Sequence, residues 1–205
     1  MTDNRPSRRE IAAAATRREI VATARRLFAT RGYAATSMQD IADEAGVAVQ
    51  TIYSSVGAKP ALLIALNDLI DEESGIAELA PRIFQTSDPH EMLAGGVHLT
   101  RQLNERCGDV IRALLTAEPS DPEAAEAVAN GMARHEQGVS AIVGRLAKSG
   151  ALRDGLTFER ARGTMLMMTS AASYRNLTES AGWSFDECER WLTESLSELL
   201  LDPRG

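Results

Sequence analysis

Thr36-Ser-Met-Gln-Asp-Ile-Ala-Asp-Glu-Ala-Gly-Val-Ala-Val-Gln-Thr-Ile-Tyr-Ser-Ser-Val56 holds two short amphipathic segments on either side of one glycine. Thr36, followed three residues later by Gln39, reads as a capping box, in which each side chain satisfies a backbone amide left free at a helix start. Met38, Ile41, Ala42 and Ala45 then fall on one apolar face. Gly46 supplies the left-handed backbone that a sharp turn between two helices demands. Val47 and Ile52 return to the core, and the small side chain of Ala42 lets the second helix cross closely. This spacing is that of a helix-turn-helix, whose second helix lies in the DNA major groove. The spacing alone also fits three helices that pack on themselves without touching DNA.

The polar residues left over after the core is assigned favour the DNA reading. Val49, Gln50, Thr51 and Tyr53 occupy the start and outer face of the second short helix. Glutamine can bond adenine in bidentate fashion, threonine and valine can contact a thymine methyl, and tyrosine and serine hydroxyls can hold phosphates. Lys59 places a charge beside the free amides of the next helix, an arrangement suited to a phosphate. The blander readings are a half-buried aromatic for Tyr53 and a solvated charge for Lys59.

Outward from this stretch the chain reads as all-α, with no run that alternates apolar and polar residues as a half-buried strand would. Glycine and proline punctuation predicts nine helices, at about 12–31, 37–45, 48–54, 59–80, 89–106, 109–117, 122–149, 157–180 and 184–201. The fourth is expected to end before Pro81, and a break is expected at Cys107-Gly108.

Phe28, Gly32-Tyr33, Thr36-Ser37, Asp40-Ile41-Ala42, Ala45-Gly46-Val47, Thr51-Ile52-Tyr53 and Lys59 to Leu62 resemble the N-terminal domain of TetR-type transcriptional regulators, over residues 17–63. The resemblance implies a three-helix, helix-turn-helix DNA-binding domain over residues 1–60, with 1–15 a flexible basic arm. It also implies a six-helix domain over 61–205 that dimerises and binds a small molecule. Thr36, Gln50, Thr51, Tyr53 and Lys59 fall where such proteins touch DNA. Ser55 stands where many members have histidine and Val56 where many have an aromatic residue; Ser55 still offers a hydroxyl to a phosphate. Ala58 replaces the usual capping serine.

Composition sets the outer bounds. The chain has 205 residues, 44% hydrophobic and 25% charged, with a formal charge of -7. Residues 1–60 carry a net +3 and residues 61–205 a net -10, so a small basic part suited to a polyanion precedes a larger acidic part. The longest apolar run, Ala61 to Leu66, is far below the roughly 20 residues of a membrane span. The N-terminus lacks a signal-peptide h-region, so a cytoplasmic protein with no membrane partner is expected. Cys107 and Cys188 read as reduced buried thiols. His90, His98 and His135 have no second ligand at metal spacing, and no catalytic constellation or phosphate loop stands out. No metal, no cofactor and no enzymatic activity are therefore expected.

Two apolar groupings remain. Met92, Leu115, Met132, Met165 and Met168 form a candidate pocket for a hydrophobic small-molecule effector, since methionine adapts to irregular cavities; His98 and His135 would supply its few directional hydrogen bonds. Plain core filling explains the same methionines. Tyr174, Leu177, Trp191, Leu192, Leu196 and Leu199 on the last two helices form a candidate homodimer face, as the resemblance implies. Two recognition helices must also reach half-sites about 34 Å apart. The reading is a homodimeric, ligand-responsive regulator, a repressor, on palindromic double-stranded operator DNA. The alternatives are a helical ligand-binding or scaffold protein that no longer reads DNA and an all-α enzyme.

Overall fold

The computed structural model describes residues 7–203. Among them lie ten α-helices: α1 (Arg8–Arg31), α2 (Met38–Ala45), α3 (Val49–Ser55), α4 (Lys59–Glu73), α5 (Ile76–Ile83), α6 (Pro89–Ala117), α7 (Pro122–Lys148), α8 (Phe158–Met168), α9 (Ala171–Arg175) and α10 (Phe185–Leu200). A 3-10 turn at Glu118–Ser120 and a π-helical turn at Asn176–Ser180 complete the helical segments. The described residues contain no strand, only one bridge between Leu152 and Leu201. The fold is all-α. None of the described helices is long and apolar enough to cross a membrane.

The chain forms two compact units, one of residues up to Ile70 with Asp109–Val128, the other of Asp71–Gly108 with Ala129 onward. A single cut after residue 60 therefore does not describe the compact units, because the end of α6 and the start of α7 belong with α1 to α3.

In the first unit α1 begins at Arg8, where Ser7 and Glu10 make a capping box. It thus takes in residues 8–15 of the expected arm; residues 1–6 lie outside the described residues. Its buried positions, Ile20, Val21, Ala24, Leu27 and Phe28, recur at helical spacing, the pattern of one face turned to a core. The bidentate pair of Arg25 Nε and Nη2 with Asp109, at 2.5 and 2.8 Å, joins α1 to the end of α6. Burial pushes the Asp109 carboxyl up, but the hydrogen bond and charge of Arg25 more than offset it and leave it below the ordinary carboxylate value.

The cap of α2 falls one residue later than the Thr36/Gln39 reading. Ser37 Oγ accepts from the Asp40 amide at 3.1 Å and Asp40 Oδ2 accepts from the Ser37 amide at 2.7 Å. Thr36 is 1% exposed and donates its hydroxyl to the Gly32 carbonyl; Gln39 bonds Asp43 instead. Ser37→Ala is expected to lower stability by about 0.5–2 kcal/mol in urea unfolding, and Gln39→Ala to leave it within about 0.5 kcal/mol.

In the second unit α10 buries Cys188, Leu192, Leu196 and Leu200, a stripe repeating every fourth residue. Met92, Leu93, Val97, Val143, Leu146, Met165 and Tyr174 share the same core. The Arg153 amide bonds the Leu200 carbonyl and the Asp202 amide the Ala151 carbonyl, both at 2.9 Å, which ties the α7–α8 loop to the end of the chain.

Three expected boundaries move. The expected end before Pro81 falls earlier, at Ser74-Gly75, where Gly75 has φ 71°, and Pro81 lies inside α5. α6 runs through Cys107-Gly108 because Cys107, Val110, Ala113 and Leu114 are buried, and that burial outweighs the roughly 1 kcal/mol that a helical glycine costs. The expected helix 157–180 is interrupted because Ser170 accepts from the Ser173 amide and caps a new helix.

Candidate nucleic-acid interface

The turn between α2 and α3 depends on Gly46, at φ 66° and ψ 33°, a left-handed conformation that costs other residues energy. The Val47 amide then returns to the Ala42 carbonyl at 3.0 Å. α3 follows with Ala48 at its N-cap and no side-chain cap. Ile52 is fully buried and anchors the helix. On the remaining surface Gln50 is exposed, Tyr53 is 48% exposed, and Val49, Thr51 and Ser55 are half-buried. Five sequence-predicted residues of α3 thus lie together on one short helix with its single core anchor behind them.

Thr36 does not join them. Its side chain is buried and its hydroxyl proton is given to Gly32, so a side-chain contact with DNA is corrected to a structural role. Ser37, at the helix start, is the exposed hydroxyl of that pair. Ser54 on α3 is exposed as well and was not singled out in the sequence; its hydroxyl bonds the Thr51 carbonyl at 3.1 Å. Arg17 is a further residue that the sequence reading missed. Its Nη1 donates to the Ser55 carbonyl at 3.0 Å and satisfies the C-terminal end of α3. No local spacing could reveal it, since 38 residues separate the partners.

Lys59, at the start of α4, is half-buried. Its Nζ lies 4.2 Å from the centroid of the Tyr33 ring, a cation–π distance. Desolvation lowers the Lys59 pKa, against the opposing charges of Asp121 and Asp40. Tyr33 is buried, meets Phe28 edge to face at 5.2 Å, and donates its hydroxyl to Asp121 Oδ2 at 2.6 Å. Burial and the bond to Asp121 push the Tyr33 hydroxyl pKa up. The Tyr33 hydrogen bond chiefly holds the Asp121 carboxyl below its ordinary value, with help from the amides of Ala124 and Glu123 and the Lys59 charge.

The candidate effector residues divide. Met92, Met165 and Met168 share the core of the second unit. A Cβ built on Gly96 would lie 3.0 Å from Met165 Cε and 2.7 Å from Ile142 Cδ1, so the packing there is close. Met132 is 68% exposed and Leu115 is at the surface of the first unit, so neither lines this interior. His135 Nε2 meets Thr169 Oγ1 at 2.9 Å, and Thr169 donates to the Met165 carbonyl. Since the threonine proton is committed, His135 donates through Nε2. Burial pushes the His135 pKa down, which favours the neutral ring. His98 is engaged by Glu189 through Nδ1 at 2.8 Å and by Gln102 through Nε2 at 2.7 Å. Arg101 joins the same carboxylate and also bonds Asp186. No group of three metal-ligating side chains occurs among the described residues.

The candidate dimer face divides in the same way. Tyr174, Leu192 and Leu196 are at most 1% exposed and belong to the core of their own unit, so the single expected face is two, one inward and one outward. Leu177 is half-buried, whereas Trp191 and Leu199 stand outward at 41% and 49% exposed. The Trp183 ring meets that of Trp191 edge to face at 5.5 Å.

Residues 20–66 match the family described as bacterial regulatory proteins, tetR family. No curated protein sequence matches the chain. Among solved structures, a TetR family transcriptional regulator, PfmR from Thermus thermophilus, is similar at 23% identity and a TM-score of 0.74, covering 89% of this chain and 99% of that one. A transcriptional regulator from Saccharomonospora viridis in complex with choline aligns at 23% identity and 0.72, covering 92% and 99%. The regulator FadR from Bacillus subtilis in complex with stearoyl-CoA aligns at 19% and 0.70, covering 87% and 96%. These likenesses establish the fold.

Proposed function

We propose, for a chain whose residues 20–66 match the tetR family of bacterial regulatory proteins, that it is a homodimeric repressor released from a palindromic operator by a small molecule. The observation that carries the reading is the division of α3. Ile52 is buried, while Gln50 and Tyr53 are left at the surface with Val49, Thr51 and Ser55 beside them. A packed surface helix also leaves polar residues to solvent; here those residues are of the types that a helix in the major groove uses to meet base edges and phosphates. Double-stranded DNA is the partner, and the cytoplasm is where a regulator of transcription would meet it. The test is selection of bound duplexes from a random library. Recovery of a palindrome with half-sites one helical turn apart supports the reading, and recovery of no preferred sequence favours a helical binding protein that no longer reads DNA.

Two relatives in fold are described in complex with small molecules, choline in one and stearoyl-CoA in the other, which supports a ligand-responsive protein. An apolar or weakly polar effector would enter among Met92, Met165 and Met168, with His135 as its hydrogen-bonding neighbour. Such a molecule lowers DNA affinity only through stronger binding to the DNA-free state. A coupling of about 1–3 kcal/mol corresponds to a roughly 5- to 150-fold loss of DNA affinity, with a reciprocal loss of effector affinity on DNA. Hydrophobic compounds that raise the thermal midpoint are then expected to bind more weakly to operator-bound protein. Equal binding with and without operator would show that the site does not act as a switch.

A further inference from the structure

Tyr33 stands between two groups of opposite charge in the first unit. Its ring face carries the Lys59 ammonium, with Nζ 4.2 Å from the centroid. Its hydroxyl donates to Asp121 Oδ2 at 2.6 Å. The other carboxylate oxygen, Oδ1, accepts from the amides of Glu123 and Ala124 at 3.0 and 3.2 Å, as the cap of α7. Asp121 is therefore bonded at both oxygens, and it is 8% exposed.

The choice of partner for Lys59 is informative. An ammonium on an aromatic face gains less than it would from a charge-assisted hydrogen bond to a carboxylate. Here the ammonium rests on the ring and the carboxylate takes a neutral hydroxyl. A lysine locked to a buried carboxylate would have little charge to offer a phosphate; one resting on a ring leaves its protons uncommitted to that carboxylate. The phenol thus does two jobs at once, satisfying the carboxylate and seating the cation.

We propose that Tyr33 is a positioning residue for DNA binding: its hydroxyl occupies Asp121, and this leaves Lys59 on the ring face, available to a DNA phosphate. The proposal rests on the DNA-binding reading above. It makes Asp121, 62 residues beyond Lys59, part of the apparatus without any contact with DNA. Without the hydroxyl, the unsatisfied carboxylate captures the ammonium. Removing that negative charge as well then frees the lysine again.

The test uses the full chain and a random-sequence duplex, with affinity followed against salt by fluorescence anisotropy. Lys59→Ala is expected to reduce the slope of log K against log salt by about 1.8, the value of about two phosphate contacts, one from each subunit of the proposed dimer. Tyr33→Phe is expected to reduce it by the same amount, and Tyr33→Phe with Lys59→Ala to reduce it no further. Asp121→Asn added to Tyr33→Phe is expected to restore the wild-type slope, a recovery that a loss of packing would not produce. Circular dichroism at each salt concentration verifies that the variants are folded. A wild-type protein whose DNA affinity ignores salt overturns the DNA-binding reading and the proposal with it. A salt-dependent wild type overturns the role of Tyr33 alone if Tyr33→Phe keeps the full slope, if the double variant loses more of the slope than Lys59→Ala does, or if Asp121→Asn restores nothing.

Discussion

Trp191→Glu is expected to give a monomer by light scattering and to remove specific operator binding. Trp191 and Leu199 lie two turns apart on α10, both exposed in the single chain, with Trp183 against the first of them. An exposed indole of this size is surface that a second copy can cover. A carboxylate in its place would be buried without a partner in the dimer, at a cost of several kcal/mol. Each 1.4 kcal/mol is about tenfold in association, so a dimer in the nanomolar range moves to micromolar or weaker. A monomer then holds only one half-site. Leu196→Glu is the informative contrast: Leu196 is fully buried in its own unit, so that variant is expected to unfold rather than dissociate. A Trp191→Glu protein that stays dimeric would move the interface off this face.

The second large effect is expected at Gln50. Gln50→Ala should cost about 1–3 kcal/mol on the selected operator, because a bidentate amide discriminates one base pair from another. Random DNA should bind almost as before, in contrast to Lys59→Ala, which weakens all duplexes alike. The exposed position of Gln50 on α3 means that the substitution removes no core contact, so stability should change by less than about 0.5 kcal/mol. Equal weakening on operator and random DNA would assign Gln50 to the backbone instead.

What could be read from the sequence follows the range of the interactions. α2, the Gly46 turn and α3 were legible because caps, turns and helical stripes act within about four residues. The same locality explains the errors. Thr36 and Ser37 are both hydroxyl residues before an apolar stripe, and the burial of Thr36, whose hydroxyl donates to the Gly32 carbonyl, decides which one caps. Met132 and Met165 are alike in sequence, yet one faces solvent and the other the core. Leu192 and Leu199 share a helix and an apolar character, and which of them turns inward depends on the rotation of α10. The bonds of Arg17 to Ser55, Arg25 to Asp109 and Tyr33 to Asp121 span 38, 84 and 88 residues, and no periodicity encodes pairs so distant.

The inclusion of Asp109–Val128 in the first compact unit bears on how such a protein can be recombined. The matched segment, residues 20–66, is a contiguous piece of chain, but the unit around it is completed by a second piece more than forty residues downstream. During synthesis Arg25 and Tyr33 leave the ribosome long before Asp109 and Asp121, so the finished unit must await all of α6 and the start of α7. A chimera cut after residue 66 and fused to a foreign sensor would leave those two partners behind. One that carries Asp109–Val128 along with the N-terminal helices transplants the whole device, and that segment is the natural seam for exchanging specificities between proteins of this architecture.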